Sequence, residues 1–311
     1  MNRSWVQSVY RRLGYKRRLG TTSRPPVPRG LYEESRRGFL GHIMHYVKLH
    51  SIPPDLILNA DQTPSSYVSV GKQTMASCGA KSVPIKGLTD KRSITITFVI
   101  TLSGNFLPMQ IIYSGKTKAS LPRSFQFPQG FSLCYNEKHW SNEETTLNLI
   151  KTIVKPYVVS KRQELKLAPT QKALMVWDVF RGQMTEAVKT KLRSMSIELV
   201  AVPANMTHFF QPLDLTVNGA AKKFTRNEFV TYYSSTVQKE LSNGKCIEDI
   251  EVDLKLSTIK PLHAQWLINF YNFFTTTEGH AITLNGWKKA GISTLLDGTT
   301  TLGPDDPFKA I

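Results

Sequence analysis

The stretch SITITFVITL, residues 93–102, alternates two sets of side chains, and this limits what the chain can fold into. One face carries Ile94, Ile96, Phe98, Ile100 and Leu102, and the other carries Thr95, Thr97, Val99 and Thr101. A period of two predicts a half-buried β-strand. The turn SGN at 103–105 and the apolar run FLPMQIIYSG at 106–115 follow, so we expect the two runs to pair as an antiparallel hairpin.

Strands and helices alternate along the rest of the chain. The first strand, DLILNADQTP at 55–64, is expected to end at Asp61, because Pro64 stops it. Strands are expected at 55–64, 93–102, 106–115, 173–178 and 197–202. Helices are expected at 33–50, 185–195 and 214–241, and another begins at Ser141, where Ser141 and Glu144 form a capping box. This order predicts an α/β fold: a mixed five-stranded sheet with helices on both faces.

Positive charge dominates the sequence and is concentrated at its start. Lys and Arg number 40 against 23 Asp and Glu, which gives a net charge of +17. A solubilising surface is one explanation, but residues 1–30 contain eight basic residues and no acid, which favours a polyanionic partner. An organellar transit peptide is the rival interpretation of this start, and the prolines in TSRPPVPRG at 22–30 argue against it by interrupting any long helix.

Several other classes of protein lack support. Cys78, Cys134 and Cys246 form no C-x-x-C pair, and no Cys or acid near His42 and His45 completes a zinc site. No apolar run approaches the roughly 18–20 residues of a membrane span. The phosphate-cradling P-loop and the Gly-x-Ser-x-Gly elbow are both missing. We therefore expect a nuclear or cytosolic protein with no membrane association and no small-molecule substrate.

Three carboxylates fall at matching points of the expected fold. Asp61 ends the first strand, Asp178 ends the fourth, and Asp214 lies between the fifth strand and the last long helix. Each has a simpler explanation by itself, such as an Asx-turn at Asp61 or a helix cap at Asp214. Together they predict a site for hard divalent cations, in which two Mg²⁺ (or Mn²⁺) ions serve a phosphodiester displacement. The loop residues Asn205, Thr207 and Gln211 are expected to orient Asp214.

The helix after Asp214 presents basic residues away from its apolar face. Val217, Ala220, Ala221 and Phe224 are spaced to pack on the core. Lys222, Lys223 and Arg226 lie on other faces. They are either phosphate contacts or part of an ordinary solvated surface.

Three segments, in this order, resemble the signature blocks of the DDE superfamily endonuclease domain of pogo/Tigger-type, CENP-B-like transposases: NADQTP (59–64), VWDVFRGQ (176–183) and VPANMTHFFQPLD (202–214). Further likeness lies in TMASCGAKSV (74–83), TLSGNFLPMQIIYSGKT (101–117), HWSNEET (139–145) and LKLSTIKPLHAQWLINFYNFF (254–274). The resemblance covers about residues 5–292. It implies a ribonuclease H-like fold, in which the first and fourth strands are neighbours and Asp61, Asp178 and Asp214 are the catalytic metal ligands.

The resemblance also implies a domain organisation. SWVQSVYRRLGYKRRLGTT (4–22) resembles only the last helices of the family's helix-turn-helix region. We therefore expect a helix-turn-helix remnant, a linker with a helix, a DDE endonuclease domain and a tail, at 1–22, 23–54, 55–292 and 293–311 respectively.

Two function classes remain open. One is a metal-dependent enzyme that cleaves and transfers DNA strands, and the other is a domesticated or remnant nuclear DNA-binding protein without turnover. Either would act in the nucleus with DNA as its partner, and a homodimer on DNA is the expected assembly. The DNA-binding residues are expected to be Arg11, Arg12, Lys16, Arg17, Arg18, Lys222, Lys223 and Arg226.

Overall fold

A computed structural model describes residues 8, 9, 12, 13, 27–69, 90–123, 125–178 and 184–302. The chain divides into two compact units, Met1–Glu34 and Ser35–Ile311. In the first, the Leu13 amide donates to the Val9 carbonyl at 3.0 Å, the spacing of an α-helix. The rest of the helical stretch expected at 4–22 lies outside the described residues, and so does the segment 74–83.

A mixed sheet of six strands forms the centre of the second unit. The strands are β1 (Ile57–Ser66), β2 (Ser93–Thr101), β3 (Gln110–Ser114), β4 (Ser132–Asn136), β5 (Ala173–Trp177) and β6 (Ile197–Ala201). Their order across the sheet is β4-β3-β2-β1-β5-β6. The prediction of a mixed sheet is confirmed, but the count of five is wrong. The missed strand, β4, is an edge strand of only five residues that pairs in parallel with β3.

The hairpin prediction is confirmed, since β2 and β3 pair antiparallel with Thr97 opposite Gln110. The expectation that β2 is half-buried is wrong, because every residue after Ser93 is buried. Its threonines are accommodated by hydrogen bonds, for example from the Thr97 hydroxyl to Gln110 Oε1 at 3.4 Å. A strand that is buried on both faces is typical of a sheet covered by helices on both sides.

The central strand β1 pairs antiparallel with β2 along its whole length and parallel with β5 only as far as Ala60. The prediction that this strand ends at Asp61 is wrong, because β1 continues through Pro64 to Ser66. Beyond Ala60, the edge of β1 that pairs with β5 has no partner among the described strands. A proline, which lacks the amide hydrogen, is tolerated where only one edge is paired.

Helices are present in the four regions where they were expected, and three more follow after residue 255, where none was predicted. They are α1 (Arg29–His50), α2 (Glu143–Leu149), α3 (Lys155–Glu164), α4 (Glu186–Arg193), α5 (Thr207–Phe210), α6 (Pro212–Leu215), α7 (Val217–Ser242), α8 (Leu256–Phe274), α9 (Thr277–Lys289) and α10 (Ile292–Leu296). A π-helical segment, Ile150–Val154, joins α2 to α3. The residues that cap α2 are Asn142 and Thr145, one position later than predicted.

Aromatic side chains fix α8 to the sheet. Phe98 of β2 lies 5.6 Å, centroid to centroid, from Phe270 of α8, and Phe224 of α7 packs on the same ring at 5.6 Å. The end of β1 is held by a hydrogen bond of 2.9 Å between Ser65 Oγ and the buried His263 of α8. These contacts set the positions of α7 and α8 relative to β1. None of the described helices is long and apolar enough to cross a membrane.

Candidate active site

Two carboxylates from different parts of the chain share one amide donor. Nδ2 of Asn218 lies 2.6 Å from Asp61 Oδ2 and 2.8 Å from Asp214 Oδ1. Asp61 comes from β1, Asp214 from the short helix α6, and Asn218 from the first turn of α7. Asp61 and Asn218 are buried, whereas Asp214 is exposed. The cluster therefore opens to solvent on the side of Asp214.

The environment of Asp61 opposes its ionisation. Burial, and then the negative charge of Asp214, raise the pKa of Asp61 from 3.8 to about 7. Hydrogen bonds from the Gln62 backbone and from the side chains of Asn218 and Gln211 act in the opposite direction. A positive charge placed between the two carboxylates would favour the ionised form.

A second set of hydrogen bonds holds α6 against β1. Asn59 Nδ2 donates to the Val176 carbonyl at 2.9 Å and to Gln211 Oε1 at 2.8 Å. Gln211 Nε2 donates to the Ala60 carbonyl at 3.0 Å, and the Leu213 amide donates to Asn59 Oδ1 at 3.2 Å. Asn59 and Gln211 are both fully buried. These bonds connect β1 to β5 and fix the position of the helix that carries Asp214.

The three loop residues expected to orient Asp214 differ in their surroundings. Gln211 makes the contacts just described. Asn205 is exposed, with a left-handed backbone at φ 62°, and Thr207 is half-buried at the start of α5. The Thr207 carbonyl accepts from the Gln211 amide at 3.0 Å. Of the three, Gln211 is the one whose side chain bonds directly to β1.

Asp178 directly follows the last residue of β5. Trp177 pairs with Ala60, so Asp178 and Asp61 are the next two residues on adjacent parallel strands. The Asp178 side chain is half-buried, and residues 179–183 lie outside the described part of the chain. Across the described residues, no three His, Cys, Asp or Glu side chains form a group that could hold a metal ion. The structure thus brings Asp61 and Asp214 together, with Asp178 adjacent to Asp61 in strand register.

The side chains of this cluster suit a hard divalent cation. All the available ligands are oxygens, which Mg²⁺ and Mn²⁺ prefer. The Oδ1 atom of Asn218 is buried and accepts no hydrogen bond from the described residues. The oxygens of Asp61 and Asp214 therefore match the ligand type of this class of metal ion, although Nδ2 of Asn218, and not Oδ1, faces the two carboxylates in this structure.

Comparison with protein families decides where the chain belongs. Residues 91–264, more than half of the chain, match the model of the family described as DDE superfamily endonuclease. The chain is a member of this family. The resemblance inferred from its motifs is thereby confirmed.

The chain is also similar to curated proteins that carry the pogo name. The protein "Pogo transposable element with KRAB domain" is 22% identical in human and 23% identical in mouse, over 300 residues each. Each alignment covers 94% of this chain and 44% of the relative. The chain therefore spans less than half the length of the curated relatives that it matches.

Solved structures confirm the ribonuclease H-like fold of this DDE protein. The mariner Mos1 paired end complex with Mg superposes with a TM-score of 0.52 at 13% identity, covering 96% of this chain and 71% of that one. The Mos1 strand transfer complex gives a TM-score of 0.50 at 13% identity, covering 92% and 66%. At this identity the likeness shows the fold alone.

The basic residues expected to contact DNA are only partly described. Lys222, Lys223 and Arg226 are exposed on α7, within about two turns of Asn218. Arg12 is exposed and lies 3.4 Å from Ser8 Oγ. Arg11, Lys16, Arg17 and Arg18 lie outside the described residues.

Sequence reasoning missed two residues in and beside the acid cluster, Asn218 and Asn59. Asn218 follows Asp214 by four positions, a spacing that predicts a shared face for a continuous helix; in the structure the two lie on the successive helices α6 and α7. Asn59 precedes Asp61 by two positions, which places both on one face of a strand. These spacings were the available signals for both residues.

Proposed function

We propose that this chain is a transposase-derived endonuclease that cleaves DNA strands and transfers them, with two divalent metal ions, Mg²⁺ or Mn²⁺, held by Asp61, Asp178 and Asp214. The observation that carries the proposal is the pair of carboxylates, Asp61 and Asp214, that meet at Asn218 Nδ2. A buried acid that meets a second acid in a protein of net charge +17 is better explained by a bound cation than by chance.

The chemistry assigned to this site follows from its ligands. When bound, the metal ions would activate the attacking oxygen and stabilise the leaving oxygen of a phosphodiester displacement. The protein supplies the position of each ligand: β1 fixes Asp61, and the bonds of Asn59 and Gln211 hold α6 and hence Asp214. A half-turn of the Asn218 amide would direct Oδ1, in place of Nδ2, toward the two carboxylates.

Asp178 is proposed as the third carboxylate because of its register. Neighbouring strands lie about 4.8 Å apart, and Asp61 and Asp178 each directly follow a member of the last β1–β5 pair, Ala60 and Trp177. Carboxylates on adjacent positions of two strands are near enough to serve neighbouring metal ions about 3.5–4 Å apart.

DNA is the proposed partner. The net charge of +17 and the exposed Lys222, Lys223 and Arg226 beside the acid cluster support this choice, since phosphate contacts dominate affinity for DNA. The Mos1 structure is a paired end complex, which motivates a homodimer on DNA for this chain. The nucleus is the location that follows from a DNA substrate.

A second candidate is a domesticated DNA-binding protein that keeps the fold without turnover. One observation favours it: Asn218 Nδ2 already contacts both carboxylates and offsets part of their repulsion without a metal ion. In that case the amide would take the place of the cation permanently.

A nicking assay on supercoiled DNA separates the two candidates. The first predicts nicking by the purified chain in millimolar Mn²⁺ and none in EDTA, with loss of nicking in Asp61→Asn and Asp214→Asn. Asp249→Asn removes an exposed carboxylate elsewhere and serves as the matched control, which should cleave like the parent. A parent that binds DNA but never nicks it supports the second candidate.

A further inference from the structure

A basic cavity lies apart from the acid cluster. The connection after β3 and the first turns of α8 enclose about 340 Å³. The residues that line it are Ala119, Leu121, Pro122, Arg123, Leu256, Ser257, Lys260 and Pro261. Two of them are cations and none is an acid, so the cavity is positively charged.

The two cations are not neutralised by the described part of the chain. The ammonium of Lys260 donates to the Ser120 carbonyl at 2.7 Å and lies 5.9 Å from the centroid of the Tyr113 ring. Neither Lys260 nor Arg123 forms an ion pair with a described carboxylate. Burial, and then the positive charge of Arg123, lower the pKa of Lys260. The pair therefore carries a repulsion that a bound anion would relieve.

The position of the cavity relative to the acids follows from β1 and α8. Ser65 lies four residues beyond Asp61 on β1, roughly 13 Å along an extended strand, and it contacts His263 of α8. Lys260 precedes His263 by three residues, roughly 5 Å along the helix axis. The cavity and the acid cluster are therefore separate sites, and the strand from Asp61 to Ser65 by itself spans a distance on the order of several base-pair steps of 3.4 Å.

We propose that this cavity binds a backbone phosphate of the DNA substrate, several nucleotides from the bond that is cleaved. The Arg123 guanidinium offers a planar fork to phosphate oxygens, and Lys260 adds a point charge fixed by Ser120 and Tyr113. Ser257 adds a hydroxyl donor. Leu121, Pro122 and Pro261 give the cavity apolar walls, which strengthen a charge–charge contact by excluding water.

This assignment rests on the proposed function in one respect, that DNA is the partner. The same phosphate chemistry could be supplied by a free phosphate ion. DNA is favoured because Arg123 is exposed at the cavity and the whole chain carries a charge of +17, which attracts a long polyanion.

The test introduces a carboxylate into the cavity without removing a contact on which folding depends. Ser257 is an exposed residue in the first turn of α8, where Glu is favourable, so Ser257→Glu should stay folded. Lys260→Gln removes one cation directly. The matched control, Lys151→Gln, makes the same change of one charge at an exposed residue elsewhere.

Affinity for a labelled duplex is measured by fluorescence anisotropy across a series of KCl concentrations, in EDTA. Loss of one phosphate contact should lower the slope of log affinity against log salt by about one and weaken binding several-fold at low salt. We expect this for Ser257→Glu and Lys260→Gln, and a clearly smaller change for Lys151→Gln. Thermal melts of the variants show that they are folded.

Two results would overturn the assignment. An equal loss of DNA affinity and of salt slope in Lys151→Gln would mean that DNA binding depends only on the total charge of the chain. The second result combines two measurements. If calorimetry shows that inorganic phosphate binds the parent but not Ser257→Glu, and the salt slopes for DNA are unchanged in the variants, the cavity is a site for free phosphate. The anisotropy series is measured in EDTA, so it does not depend on cleavage. A parent chain that shows the expected salt slopes but does not nick DNA in Mn²⁺ would refute the proposed nuclease activity and would still support the phosphate site.

Discussion

Asp61 and Asp214 accept hydrogen bonds from the same amide nitrogen, Nδ2 of Asn218, although one is buried in the central strand and the other is exposed on a short helix. One neutral amide is a weak counterpart for two carboxylates. The cost of this arrangement falls mainly on Asp61, whose pKa rises to about 7.

Removing the charge of Asp61 should not destabilise the metal-free protein. A carboxyl whose pKa is higher in the folded than in the unfolded state binds more protons when folded, so its contribution to stability falls as the pH rises from about 4 to about 7. Asp61→Asn keeps an oxygen acceptor for Asn218 Nδ2 and removes the carboxyl whose ionisation lowers the stability. Urea denaturation in EDTA at pH 8 should show a midpoint at or above that of the parent. A lower midpoint would mean that Asp61 mainly stabilises the fold.

Divalent metal should stabilise the parent through the same residues. A ligand that binds only the folded state adds about 2.7 kcal/mol at one hundred times its dissociation constant. Millimolar Mn²⁺ should therefore raise the melting temperature of the parent, and Asp61→Asn should lose most of the increase. Asp249→Asn is the control and should respond like the parent. Identical melting curves with Mn²⁺ and with EDTA for the parent would argue against a formed site.

The close approach of α9 to α6 should be required for the position of Asp214. A Cβ added at Gly286 would lie 2.7 Å from both the Pro212 carbonyl oxygen and Thr216 Oγ1. Gly286→Ala should therefore cost about 1–3 kcal/mol and displace α6. Gly38, in the interior of α1, has no atom near an added Cβ, so Gly38→Ala should gain about 0.5–1 kcal/mol. Urea denaturation measures the free energy of unfolding of both variants. A Gly286→Ala variant as stable as the parent would show that α6 can move away from α9 without loss of stability.

The buried His263 should make the protein sensitive to acid. Burial lowers the pKa of His263 from 6.5 to about 3, so the folded state binds fewer protons than the unfolded state between these values. Its contribution to stability is present above pH 6.5 and is lost as the pH falls toward 3. The double variant Ser65→Ala/His263→Leu should lose less stability than the parent between pH 7 and pH 5 in urea denaturation. Ser65→Ala alone should keep the parent's pH dependence. If the free energy of unfolding depends on pH equally in all three proteins, His263 is not the source of the acid sensitivity.

Periodicity in the sequence predicted most of the sheet, and its errors have physical causes. The alternation in β2 indicated a strand, but threonine was read as a solvent-facing residue, whereas Thr97 is buried and bonded to Gln110. Pro64 predicts an end of β1 at Asp61, but a proline stops a strand only where both of its edges are paired, and β1 continues to Ser66. The edge strand β4 shows no apolar alternation, because its buried residues are Ser132 and Cys134, whereas Tyr135 is exposed.

The candidate site was less accessible from the sequence because it depends on contacts between distant segments. Asp61 and Asp214 are recognisable in the sequence as acids near the ends of predicted elements. Asn218 and Asn59 have no such signature, and their roles depend on contacts with Asp61 and Gln211 that form only in the folded protein. The basic cavity is a similar case, since Arg123 and Lys260 belong to segments that are adjacent only in the folded protein.

Nicking of supercoiled DNA by the parent and by Asp178→Asn, each in Mn²⁺ and in EDTA, tests the central claim most directly. Asn keeps the shape of the side chain but removes one charge from the proposed metal site. The account predicts that the parent nicks only with Mn²⁺, and that the variant is folded, at least as stable in EDTA, and slower by several orders of magnitude. A variant that is destabilised by about 1–3 kcal/mol yet nicks like the parent would show that Asp178 is structural and would contradict the catalytic account.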